Sequence, residues 1–147
     1  MVEVRQLLRT KGAEVWTIGP DRTVFEALQI MAEKDVGALP VVEGGRLTGI
    51  FSERDYARKV VLQGKTSRDT TVGELMTRTV YYVSPNETIE QCLAIMTKRH
   101  IRHLPVLDDG HLVGIVTIGD VGKAIISEQA FTIRHLESYI TGAAVGR

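Results

Sequence analysis

A single cysteine, Cys92, stands in a chain of 147 residues. No intrachain disulfide can therefore hold the fold, and the composition fits a reducing compartment. Charge of one sign is not in excess: 18 Lys and Arg balance 18 Asp and Glu. That balance argues against nucleic acid or an anionic membrane surface as the main partner. No apolar run approaches the ~20 residues needed to span a bilayer, and the amino terminus lacks a basic-then-apolar signal pattern. A cytoplasmic protein is expected. His100, His103 and His111 match no closed zinc spacing, and no cysteine or carboxylate cluster completes a set, so no metal is expected. Ser52 has no evident base and orienting partner, which argues against acyl chemistry. Without a basic stripe, Tyr81-Tyr82 reads as strand packing or purine contact rather than a nucleic-acid platform.

What the chain does have, it writes twice. Ala38-Leu39-Pro40-Val41-Val42 through Asp55 maps without a gap onto His103-Leu104-Pro105-Val106-Leu107 through Asp120, at an offset of 65 residues. The register extends from Val15/Val80 to Val60/Ile125 and includes the identical pairs Leu28/Leu93, Met31/Met96, Gly45/Gly110 and Gly49/Gly114. Two copies are too few for a solenoid. Two units packed about a pseudo-two-fold axis are expected, and because each is small on its own they are expected to share a core.

Val4, Leu7 and Leu8 predict a short amphipathic helix ending at Gly12. Val15 to Ile18 and Val80 to Val83 read as brief strands, closed by the turn signals Gly19-Pro20 and Ser84-Pro85. Thr23 with Glu26, Thr71 with Glu74 and Thr88 with Gln91 are capping boxes that open helices. Met31, Cys92 and Met96 fall on buried helix faces by spacing. Two apolar runs joined through Gly44-Gly45, and two through Asp109-Gly110, predict hairpins. Ser52 and Thr117 then open further helices, the first with Tyr56, Val60 and Val61 on one face. Lys65 to Thr70 is the linker. A helical tail with Phe131, His135, Leu136 and Ile140 is expected to pack back on the body or on a second subunit. The unit is strand, helix, strand, strand, helix, and the fold class α/β (α+β). First repeat 13–64, second repeat 71–128, N-terminal helix 1–12 and C-terminal helical tail 129–147 divide the chain.

Each hairpin ends in a hydroxyl residue, two spacers and an aspartate: Ser52-x-x-Asp55 and Thr117-x-x-Asp120. A helix starts there, with free backbone N–H groups that attract phosphate, and a first-turn carboxylate can accept from two ribose hydroxyls. The same pattern is also an ordinary helix cap, stabilising by about 0.5–2 kcal/mol. The residues alone leave both readings open.

The stretch Arg102-His103-Leu104-Pro105-Val106-Leu107-Asp108, the stretch Gly114-Ile115-Val116-Thr117-Ile118-Gly119-Asp120, and their partners 65 residues earlier resemble the CBS domain, used as a tandem pair or Bateman module. The resemblance covers roughly residues 13–128. It implies clefts between the repeats that bind adenine nucleotides such as AMP, ATP or NAD. A regulatory rather than catalytic role, a flat homodimer and an effector in another protein are implied with them. Carried over, one site joins Ile50, Phe51, Ser52, Glu53, Arg54 and Asp55 to Tyr81, Arg102 and His103. The other joins Ile115, Val116, Thr117, Ile118, Gly119 and Asp120 to Trp16, Gly37 and Ala38. Arg54, Arg58, Arg102 and His103 make the first site the better match for phosphate. The alternative is a constitutive dimerisation or scaffold module with vestigial sites.

Overall fold

The computed structural model describes residues 1–141, with the side chains of residues 1–137. The elements follow in chain order: α1 (Val4–Lys11), α2 (Val24–Lys34), β1 (Ala38–Glu43), β2 (Arg46–Ser52), and α3 (Glu53–Asp55), which runs on as a π-helical turn (Tyr56–Val61). Then come α4 (Val72–Leu75), α5 (Ile89–Arg99), β3 (His103–Asp108), β4 (His111–Thr117) and α6 (Ile118–Thr141). The chain is a mixed helix and strand protein built of two like halves.

Local chemistry sets most of these boundaries. Thr23 and Thr88 accept from the backbone N–H of Glu26 and Gln91, whose side chains reach back to complete the boxes. Asp35 and His100, 65 residues apart, end α2 and α5 in the left-handed conformation. β1 pairs antiparallel with β2, and β3 with β4, in matching registers. Positive φ at Gly44 and Gly45, and at Asp109 and Gly110, gives both hairpins the tight turn whose twist suits the flanking strands.

The first strand of each repeat is shorter than its sequence suggests. Ile18 and Val83 each make one parallel bridge, to Val41 and Val106, and no ladder extends from it. A proline two residues on, Pro20 or Pro85, brings no N–H to continue pairing. The helix after Ser52 also departs from expectation. Bonds from Leu62 N to Ala57 O and from Lys65 N to Val60 O span five residues, and the widened turn buries Val60 but leaves Val61 54% exposed.

The repeats do not share one core. Phe51, Leu39, Val41, Met31 and Val60 pack with Val72, Leu75 and Met76 of α4. Leu104, Val106, Val116, Met96 and Val121 pack with Val4, Leu7 and Leu8 of α1. The helix before each repeat thus completes the core of the other. Cys92 is fully buried in the second core, and burial raises its thiol to about 11, so it behaves as a small hydrophobe.

Residues 131–137 of the expected C-terminal tail lie exposed rather than packed back on the body. No breaker separates the tail from the repeat helix, and α6 continues through the expected boundary as one helix of 24 residues. Phe131, Ile133 and Leu136 all lie exposed on it. The side chain of Ile140 and residues 142–147 lie outside the described residues. Within residues 1–141 no helix is long and apolar enough to cross a membrane.

Candidate functional site: two unequal clefts

β2 ends where α3 begins, and the strand's alternation decides what faces outward. Ile50 and Ser52 line a cleft of about 510 Å³, together with Glu53, Arg54, Asp55, Tyr81, Arg102 and His103. Phe51, assigned to this site from sequence, points the other way and is fully buried in the first core. The Ser52 hydroxyl accepts from Asp55 N at 3.2 Å while the Asp55 carboxylate accepts from Ser52 N at 3.0 Å. The cap is real. Oδ2 of Asp55 also accepts from the Ser52 hydroxyl at 3.1 Å, and Oδ1 from the Thr77 hydroxyl at 3.1 Å and Lys59 Nζ at 3.0 Å.

The lining of this first cleft is strongly cationic. Arg54, Arg58, Lys59, Arg99 and Arg102 face it against only Glu53 and Asp55. Arg54 donates to His100 O at 2.8 Å, and the Arg99 guanidinium lies 4.6 Å from the centroid of the Tyr81 ring. The side chains of Arg58 and Arg102 make no hydrogen bond or ion pair with a described residue. Burial, and then the neighbouring Arg102 charge, hold His103 below its ordinary pKa. It is a neutral imidazole at neutral pH. The sequence did not single out Lys59, Thr77 or Arg99. Lys59 was legible as the residue four after Asp55 on a helix; the other two arrive through tertiary packing.

The second cleft, about 280 Å³, is lined by Trp16, Gly37, Ala38, Ile115 and Thr117 among the residues assigned to it from sequence. Val116 is fully buried in the second core by the same alternation that removes Phe51. Ile118, Gly119 and Asp120 are not on the wall; Lys11, Glu14 and Asp35 are. Asp120 caps α6, accepting from Thr117 N at 2.9 Å. It is also held by Lys11 Nζ at 2.6 Å, and the same ammonium donates to Ile115 O at 2.8 Å. Burial pushes the Asp120 carboxyl up, but the bonds from Lys11 and Thr117 and the Lys11 charge outweigh it and hold the group below its ordinary value.

Gly37 and His103 line both clefts. A Cβ on Gly37 would fall 3.0 Å from Glu53 Oε1 and 3.3 Å from His103 Nε2, so glycine is what lets the two walls meet. Among the described residues, no group of three or more His, Cys, Asp or Glu side chains is placed to hold a metal.

Two hairpin-and-helix repeats with paired clefts at their hydroxyl-x-x-Asp helix starts define a tandem CBS pair. The CBS domain model matches residues 4–62 and 72–127, and the chain belongs to that family. Among curated proteins it is 39% identical to the mitochondrial CBS domain-containing protein CBSX3 of Arabidopsis thaliana, over 89% of this chain; it spans 66% of that protein. Among solved structures it resembles the CBS domain protein NE2398, with TM-score 0.82 and 49% identity over 84% of this chain and 97% of that one. It also resembles the CBS domain pair of MJ0100 in complex with 5-methylthioadenosine and S-adenosyl-L-methionine, with TM-score 0.78 and 29% identity over 87% and 98% of the two chains.

Proposed function

We propose that this chain is a regulatory module, not an enzyme, and that its first cleft binds an adenine nucleotide, AMP being the simplest candidate. The observation that carries the reading is the pair of unpartnered cations, Arg58 and Arg102, facing the helix start at Ser52. Both side chains are exposed and without a partner, so an anionic ligand group in the cleft would gain charge-assisted hydrogen bonds without breaking an existing pair. Ile50, Tyr81 and Ile101 supply apolar surface for the base. Lys59 has another acceptor within reach, since it also donates to Leu75 O at 3.1 Å. Asp55 can therefore exchange the Lys59 bond for a ribose hydroxyl. The adenosine-type ligands of MJ0100 support the class of ligand.

The nucleotide would act by favouring one packing of the repeats over another, with an effect set by its differential affinity for the two. The chain would work as a homodimer, since Val61 and Leu62 lie 54% and 78% exposed side by side. The buried free thiol of Cys92 fits a cytoplasmic setting. A scaffold reading is favoured by one observation, the complete internal bonding of Asp55. Calorimetric titration with AMP, ATP and adenosine separates the two. A nucleotide sensor binds the phosphorylated ligands with micromolar or tighter affinity and adenosine more weakly. A scaffold gives no heat with any of them.

A further inference from the structure

We infer that Lys11 is the specificity-determining residue of the second cleft: its side chain covers Asp120, so that cleft refuses a ribose diol and the chain takes one equivalent of nucleotide, in the first cleft. This rests on the proposed nucleotide binding in the first cleft. The two aspartates are pseudo-equivalent in sequence and in capping, yet they stand differently toward their cavities. Each carries an ammonium, Lys59 on Asp55 and Lys11 on Asp120, but Asp55 still lies on the wall of the first cleft. In the second, Lys11 is on the wall and Asp120 is not. The ammonium sits 2.6 Å from Asp120 Oδ2, an oxygen that already accepts from Thr117 N.

The reason lies in how each β2-type strand is flanked. At Ile50 the neighbour is the backbone of Thr77, which exchanges two bonds of 2.9 Å with it. The strand carbonyl is satisfied by main chain, and Asp55 keeps its place at the cavity. At Ile115 no backbone arrives. The carbonyl is satisfied by Lys11 Nζ at 2.8 Å, and the side chain that reaches it crosses the mouth of Asp120. Lys11 is the last residue of α1, before Gly12 at φ +99°. Helix α1 is in turn fixed to the second core and by bonds from Val4 N to Glu87 O and Arg5 N to Pro85 O. The lysine is therefore delivered from a fixed position rather than swinging in from solvent. The remaining charges on the second wall, Glu14 and Asp35, repel phosphate as well.

Trp16, the only tryptophan, lines the second cleft and not the first, so its fluorescence reports that cleft alone while calorimetry counts every bound equivalent. The parent chain is expected to bind one equivalent of AMP with Trp16 silent. Lys11→Met is expected to bind adenosine in the second cleft at least tenfold more tightly than the parent, with a Trp16 signal and a second calorimetric equivalent for adenosine. Lys11→Arg is expected to behave as the parent. A melting curve confirms the fold of each variant, and Lys11→Gln replaces Lys11→Met if that variant fails to fold. Two equivalents and a Trp16 response in the parent overturn the inference. So does one equivalent with Trp16 silent in both Lys11→Met and Lys11→Gln, which would leave the first-cleft reading standing. Absence of heat with every variant removes the first-cleft reading and the inference together.

Discussion

Gly114 lies directly beneath Leu8: a Cβ built on the glycine would fall 2.8 Å from Leu8 Cδ2. Gly49 and Met76 repeat the relationship in the other half, with a Cβ-to-Sδ distance of 2.5 Å. These contacts are where each leading helix presses on the opposite repeat, and they explain why both copies carry a glycine in mid-strand. Gly114→Ala is expected to destabilise by about 1–3 kcal/mol, the usual cost of overpacking. Gly49→Ala is expected to cost at least as much, because the Thr77 carbonyl, 3.0 Å away, is backbone and cannot turn aside. Urea midpoints at unchanged slope measure both.

Arg102→Ala tests the phosphate assignment in the first cleft. Hydrogen bonds to charged groups contribute about 1.5–3 kcal/mol, so AMP affinity is expected to fall roughly ten- to hundredfold. The loss is expected to shrink as salt rises, while adenosine binds Arg102→Ala and the parent alike. Equal loss for adenosine and AMP would place Arg102 against the nucleoside instead.

Asp55→Ala is expected to remove both a cap, at about 0.5–2 kcal/mol of stability, and the ribose acceptor. AMP binding is then expected to weaken by one to three orders of magnitude, since two bonds to a charged acceptor are lost. A 2′,3′-dideoxy analogue is expected to bind the parent and Asp55→Ala with similar affinity. Calorimetry on the four combinations checks this.

His103 carries a pH signature. Its folded pKa lies below the unfolded value because burial and Arg102 disfavour the imidazolium. Its contribution to stability is present above the unfolded pKa of about 6.5 and is lost as pH falls through the folded value. Between about pH 7 and 5, His103→Gln is expected to flatten the stability profile relative to the parent, measured by urea unfolding at each pH. Asp120 works in the carboxylate range. Its depressed folded pKa gives stability present above about pH 4 and lost as pH falls through the folded value.

Val61→Glu together with Leu62→Glu is expected to convert the proposed dimer to a monomer without unfolding it, since both side chains are exposed in the single chain. Light scattering at micromolar concentration reads the mass. A parent chain that is itself monomeric would remove the dimer from the proposal.

Much of the fold was legible because the repeat keeps one register. The capping boxes, the two tight turns and the buried methionines follow from local pattern alone. The exchange of α1 and α4 was not legible. Val4/Val72, Leu7/Leu75 and Leu8/Met76 do correspond, but at an offset of 68 residues, out of step with the rest and without identical flanking residues. At the clefts the motif identified the helix starts. Strand alternation, applied residue by residue, would have moved Phe51 and Val116 to the core. Lys11 was beyond reach, because its contact with Asp120 spans 109 positions and depends on which repeat α1 joins.

The crossed placement of the leading helices has a consequence for chain cleavage. A cut at Gly64, in the exposed turn after the π-helical segment, would leave an N-terminal fragment carrying α1 and a C-terminal fragment carrying α4. Each piece would hold a helix that the other needs to finish its interior. The nicked protein would therefore stay assembled through complementation and co-elute as one species. The halves separated from each other would both lose an interior wall, so neither repeat is a portable unit when excised at the linker.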